Sequence, residues 1–181
     1  MKVIFNYIYN MIPYMLISIP IFIFIRYLMY KKNNKFNIKR EIILFVFVLF
    51  LVGLASQTII PKFDSNMNII KSKIRLNLIP FKIIYDSIIE FKNGNIYYLI
   101  ISLIGNIVMF IPVGLFIKIL WNKDDKKVIF IGFLISLFIE ITQIFTGRET
   151  DIDDLILNTI GTIIGIIIYK LYKKIKNVNF D

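Results

Sequence analysis

Glu140, Gln143, Arg148, Glu149, Asp151, Asp153, Asp154 and Asn158 fall within one short stretch, flanked on both sides by long apolar runs. Their chemistry is that of carboxylates, amides and one guanidinium. Asp151, Asp153 and Asp154 are spaced closely enough to offer oxygen ligands to a hard divalent cation such as Mg²⁺ or Ca²⁺. Glu140 could give or take a proton, with Asp151 and Asp154 as further candidate catalytic groups. Arg148 could anchor an anionic group through its planar fork of donors. The chain has neither cysteine nor histidine, which removes thiol catalysis, disulfides, the usual zinc sites and imidazole acid–base chemistry.

Helical spacing places these groups on defined faces. Gly132, Ser136, Glu140 and Gln143 follow at i, i+4, i+8 and i+11, and Asp154, Asn158, Gly161 and Gly165 at i, i+4, i+7 and i+11. Asn106, Phe110 and Gly114 share a third face, with Pro112 freeing the carbonyl of Val108. Small residues let helix backbones approach in lipid, and Gly161–Gly165 is a GxxxG pattern suited to an internal contact or a homodimer. A charge in mid-bilayer costs about 2.5–3.5 kcal/mol, so such polar groups are expected to face other helices. Folding the last two apolar runs as a hairpin brings Glu140 and Gln143 level with Asp154 and Asn158, sets Arg148 above them, and leaves Asn106 on the same inner face.

The elements that must do this positioning are membrane helices. Of 181 residues, 57% are hydrophobic, and the mean hydropathy is +0.73. Five spans approach the length needed to cross a bilayer: Met11–Tyr30, Ile42–Ile60, Ile96–Leu120, Val128–Phe145 and Leu155–Tyr172. Met11–Tyr30 is too long for a signal-peptide core, and no small-residue cleavage site follows it. The fold class is all-α, a polytopic helical membrane protein with about five transmembrane helices. Residues 1–60 supply two N-terminal spans and a basic loop; residues 61–181 supply the polar spans, as one integral unit with the first. Pro20 should kink the first span, and Arg26 should snorkel towards the basic loop.

The net charge of +10 is carried largely by loops flanking apolar spans, so lipid headgroups, not nucleic acid, are the expected partner. The segments 31–40, 123–127 and 170–176 carry five, three and four cations, against Lys2, six in 62–95 and Arg148 on the alternate side. That bias sets the N-terminus outside and the C-terminus inside the membrane, and turns the polar centre outward. In the loop 62–95, Phe81, Ile84, Tyr85 and Ile88 fall at i, i+3, i+4 and i+7 beside a polar stripe of Lys82, Asp86 and Glu90. An interfacial helix on the outer leaflet is expected there, with Pro80 at its first position and Asn77-Leu78-Ile79-Pro80-Phe81 leading in.

Three functional readings follow. The polar groups could be an ion-paired core that fixes helix register, a site for an anionic or sugar headgroup anchored by Arg148, or a membrane-embedded enzyme, metal-dependent through its aspartates, acting on an envelope lipid or sugar phosphate. The set Asn77-Leu78-Ile79-Pro80-Phe81, Gly105-Asn106, Phe110, Pro112, Gly114, Ser136, Glu140, Gln143, Arg148, Asp151, Asp153, Asp154, Asn158, Gly161 and Gly165 resembles the pattern of the VanZ-like family of bacterial membrane proteins. The resemblance covers Asn77 to Gly165, about half the chain. It implies a multi-pass protein of the cytoplasmic membrane with a role in the cell envelope and in low-level resistance to the glycopeptide teicoplanin. The implied partners are the lipid bilayer and either a lipid-linked envelope precursor or the glycopeptide itself. Asn77, Asn106, Glu140, Gln143, Arg148, Asp151, Asp153, Asp154 and Asn158 are the expected binding residues, and Gly114, Gly132, Ser136, Gly161 and Gly165 the packing residues. No resident cofactor is implied, and a divalent cation stays open.

Overall fold

A computed structural model describes residues 2–33, 37–59, 75–96, 100–146 and 149–178. The protein is all-α among the described residues, apart from two three-residue strands. Among the described residues, four helices are long and apolar enough to cross a membrane, over Tyr9–Lys32, Ser102–Trp121, Asp125–Thr146 and Ile152–Lys176. Most of the predicted span Ile42–Ile60 lies on a further helix, Ile38–Thr58, of 21 residues. Residues 1–62 and 63–181 form two compact units.

The first unit is an antiparallel pair, α1 (Lys2–Asn33) and α2 (Ile38–Thr58). Asn37 starts α2 in extended conformation, and its side chain accepts the Arg40 N–H at 3.1 Å, satisfying one of the orphan donors of a helix start. Arg26 pairs with Glu41, donating from Nε at 2.6 Å. Arg26 thus extends towards the loop end as expected, and the group it meets there is a carboxylate at the start of α2, which offers it two charge-assisted bonds. Further along, Phe22 meets Phe45 with ring centroids 5.2 Å apart, and Gly53 lies against the flexible ends of Met11 and Met15.

In the second unit, β1 (Arg75–Asn77) leads to α3 (Lys82–Lys92), and a π-helical turn at Ile100–Ile104 opens α4 (Gly105–Trp121). α5 (Asp125–Thr146), β2 (Glu149–Asp151) and α6 (Ile152–Val178) complete it. The third span therefore begins wider than a regular helix. The Asn106 amide donates to the carbonyl of Ser102 inside that turn, at 3.0 Å.

α4 and α6 are in backbone contact. A Cβ at Gly161 or Gly165 would overlap the carbonyls of Ile107 and Ile111, and one at Gly114 would overlap the Thr162 carbonyl. α5 closes on the same point, since a Cβ at Gly132 would meet the Thr162 side chain. The GxxxG face is thus spent inside the chain. In lipid, where apolar burial between helices gives little drive, such close van der Waals approach is what holds spans together. The core lies between the three helices, with Phe110, Val113 and Ile117 from α4, Val128 and Ile139 from α5, and Leu157 and Ile166 from α6. α5 turns Phe130, Leu134, Phe138, Ile141 and Phe145 outward and keeps Ser136, Glu140 and Gln143 within, the inverse of a soluble helix.

The opposite end, at the α4–α5 turn, is closed by Lys118. Its side chain is buried, and Nζ donates to the Lys123 carbonyl at 2.8 Å and to Asp125 at 2.9 Å. It also stands 5.6 Å from the centre of the Tyr169 ring. Lys170 pairs with the second Asp125 oxygen.

Candidate functional site

The polar groups gather where α5 ends and α6 begins, and the chain reaches that place through two very short strands. β1 and β2 pair in parallel, with Arg75 opposite Glu149, Leu76 opposite Thr150 and Asn77 opposite Asp151. Asn77 Nδ2 donates to Asp151 Oδ2 at 2.8 Å, and its own Oδ1 accepts the Ile79 N–H at 3.3 Å, turning the chain towards α3. The other Asp151 oxygen accepts the Asp153 N–H at 2.9 Å and so caps α6. Acids at this end also suit the helix dipole.

Glu140 is buried on the last turns of α5. Its Oε2 accepts the Asp151 N–H at 3.0 Å, while its carbonyl accepts the Thr150 hydroxyl at 3.3 Å. This tie closes the α5–α6 turn. Asp153, 3% exposed, turns its carboxylate to the start of α3. Its two oxygens accept the N–H groups of Phe81 at 2.5 Å and Ile83 at 2.7 Å.

Asp154 and Asn158 occupy the inner side of α6. Asn106 of α4 donates to Asp154 Oδ1 through the same amide nitrogen that serves Ser102. One helical turn deeper, about 6 Å along the axis, the Asn158 amide donates to Ser136 Oγ of α5 at 2.9 Å, and its backbone carbonyl accepts the Thr162 hydroxyl at 3.1 Å. Asn158 is buried, and its Oδ1 has no hydrogen-bond partner among the described residues. Gln143 is buried on α5 one turn beyond Glu140.

The structure therefore separates the expected site residues into three groups. Asn77, Glu140, Asp151 and Asp153 hold backbone and capping positions at the membrane end of the unit. Asn106, Asp154, Asn158 and Ser136 join the three helices below them. Gly114, Gly132, Gly161 and Gly165 provide the close approaches beneath. Arg148 lies outside the described residues. Among the described residues, no group of three or more acidic side chains is placed to hold an ion jointly, and Asp153 is turned to α3.

Three features escaped the sequence reading. The strand pair is too short to show alternation. α3 begins at Lys82, with Pro80 before it and Phe81 in left-handed conformation at φ 65°, so Pro80 does not take the first helical position. The amides that Asp153 holds lie 70 or more positions upstream, and its only local signal is its place in the first turn of α6.

The family model VanZ/LLP1 matches residues 41–173. A curated relative, Protein VanZ of Enterococcus faecium, is 40% identical over 85 residues, an alignment covering 42% of this chain and 48% of that protein. The match thus spans about half of the relative's length. No solved structure matches.

Proposed function

Since the chain belongs to the VanZ/LLP1 family and is built of membrane helices, we propose that it works at the outer face of the bacterial cytoplasmic membrane. There, the polar groups between α4, α5 and α6 engage a lipid-linked envelope precursor or a glycopeptide. The result is a contribution to low-level teicoplanin resistance. One observation carries this reading. Asp154 and Asn158 sit on the inner side of a membrane helix, and their side-chain hydrogen bonds run to side chains of neighbouring helices instead of to caps. Acids and amides kept in a lipid-facing bundle at that cost are functional sites by default.

The geometry divides the residues into those that hold the end together and those that could meet a ligand. Asp151 and Asp153 belong to the first class, because their oxygens accept backbone amides. Asp154, Asn106 and Asn158 belong to the second. With the positive charge of the loops set inside, this end of the unit faces the leaflet where lipid-linked precursors and glycopeptides are found. Arg148, six residues before Asp154 in the sequence, is the cation we assign to an anionic group on the ligand.

The test is teicoplanin susceptibility of a host expressing Asp154→Asn, Asn106→Ala or Asn158→Ala, with membrane abundance measured alongside. Wild type is expected to raise the tolerated concentration, and the three variants are expected to lose that gain at undiminished abundance. Variants as protective as wild type would refute the reading.

A further inference from the structure

α3 has two unlike sides. Ile83 and Ser87 face into the unit and are buried, whereas Ile84, Tyr85, Ile88 and Phe91 stand 40%, 65%, 49% and 55% exposed. Phe81, just before the helix, is open as well. Its place is fixed by Asp153, which takes the N–H groups of Phe81 and Ile83 in its two oxygens. Asp153 lies in the first turn of α6, whose membrane-capable stretch starts at Ile152. The anchor therefore sets the start of α3 level with the first turn of α6, where the membrane-capable stretch of that helix begins.

From this we infer that α3 lies in the headgroup layer of the membrane that α4–α6 cross, with Ile84, Tyr85, Ile88 and Phe91 seated on the acyl chains. The composition suits that level. Tyr85 is a ring of the kind that gathers at membrane borders, Phe81 and Phe91 are apolar anchors of the kind interfacial helices bury, and Lys82 and Lys92 at the two helix ends have long apolar stems that let their charges reach phosphates. An amphipathic helix of this kind binds by its buried apolar area. Asp153 adds a fixed depth, so α3 is part of the membrane domain and not a peripheral loop. The inference rests on the membrane reading alone and is independent of any ligand at Asp154.

The chain has no cysteine, so single cysteines report cleanly. The full chain, carrying Tyr85→Cys, Ile88→Cys, Ser87→Cys or Asn93→Cys and labelled with an environment-sensitive fluorophore, is reconstituted in phosphatidylglycerol–phosphatidylcholine vesicles. Lipids brominated in the upper acyl chain should quench positions 85 and 88 with a blue-shifted emission, while aqueous iodide quenches position 93 and neither reaches position 87. Iodide quenching at 85 and 88 equal to that at 93 would overturn the inference. So would protection of 85 and 88 from both quenchers, which would mean that protein covers the face, whether the first unit or a second copy.

Discussion

At the scale of single residues, Asp153 has the most to lose. Two backbone donors at the start of α3 depend on its carboxylate, and Ile83 lies in a buried position. Hydrogen bonds to charged groups contribute about 1.5–3 kcal/mol each, and an orphaned buried donor bears its full desolvation cost. Asp153→Ala should therefore lower stability by about 3–5 kcal/mol, and Asp153→Asn, which keeps one acceptor but turns an NH2 group to the other amide, by roughly half of that or more. Denaturant unfolding of the detergent-solubilised protein, followed by helical signal, checks both. Asp154→Asn should leave the midpoint nearly unmoved, since an amide oxygen still accepts from Asn106. The sequence told these neighbouring acids apart only in part. Their helical spacing separates Asp154, which shares a face with Asn158, but Asp153 is explained only by the amides of a distant segment. Glu140 was legible as a buried acid because an isolated carboxylate in an apolar run must find a donor. That this donor is the Asp151 N–H follows from the turn, not from the pattern.

Among elements, the glycines decide how closely α4, α5 and α6 approach. Gly114→Ala forces a Cβ into the Thr162 backbone, which cannot give way as a side chain can. Gly53→Ala meets only the Met15 methyl at 3.2 Å and the Met11 sulfur at 3.4 Å. The same substitution should thus destabilise by about 1–3 kcal/mol or more at Gly114. At Gly53 it should be neutral within about 1 kcal/mol, because overpacking is offset by the better helix propensity of alanine. Thermal unfolding of the two variants side by side gives the comparison. This part of the fold was readable in advance: small residues at i and i+4 on a membrane helix have few uses besides contact. α3 was half readable. The spacing of Phe81, Ile84, Tyr85 and Ile88 marks its open side correctly, yet nothing local shows that Ile83 and Ser87 face inward or that a left-handed Phe81 precedes the helix. Strands of three residues leave no periodicity to detect.

Across the whole molecule, the claim open to the simplest check is orientation. From the loop charges, residues 93–95 are expected outside and residues 123–127 inside. Asn95 and Lys127 are exposed, so cysteine at each should be accessible to reagent without disturbing packing. In intact cells a membrane-impermeant maleimide is expected to label Asn95→Cys and to leave Lys127→Cys unmodified until the membrane is opened; the reverse pattern would turn the protein over. Membrane class and all-α architecture were evident from apolar length alone. The side on which the acids lie rests on charge counts in the loops, a weaker signal here because 62–95 is itself basic.

The pairing of Asn77 with Asp151 has a consequence for biosynthesis. The two residues are 74 positions apart, and at about 5–20 residues per second a ribosome needs roughly 4–15 s to make the intervening chain. During that interval α3 has neither its strand partner nor the carboxylate that caps it. The amphipathic segment therefore waits without its anchor until the first turn of the final helix is delivered. Premature stops before Asp151 are expected to leave it permanently unmoored, and such products should be the ones that quality-control proteases remove first.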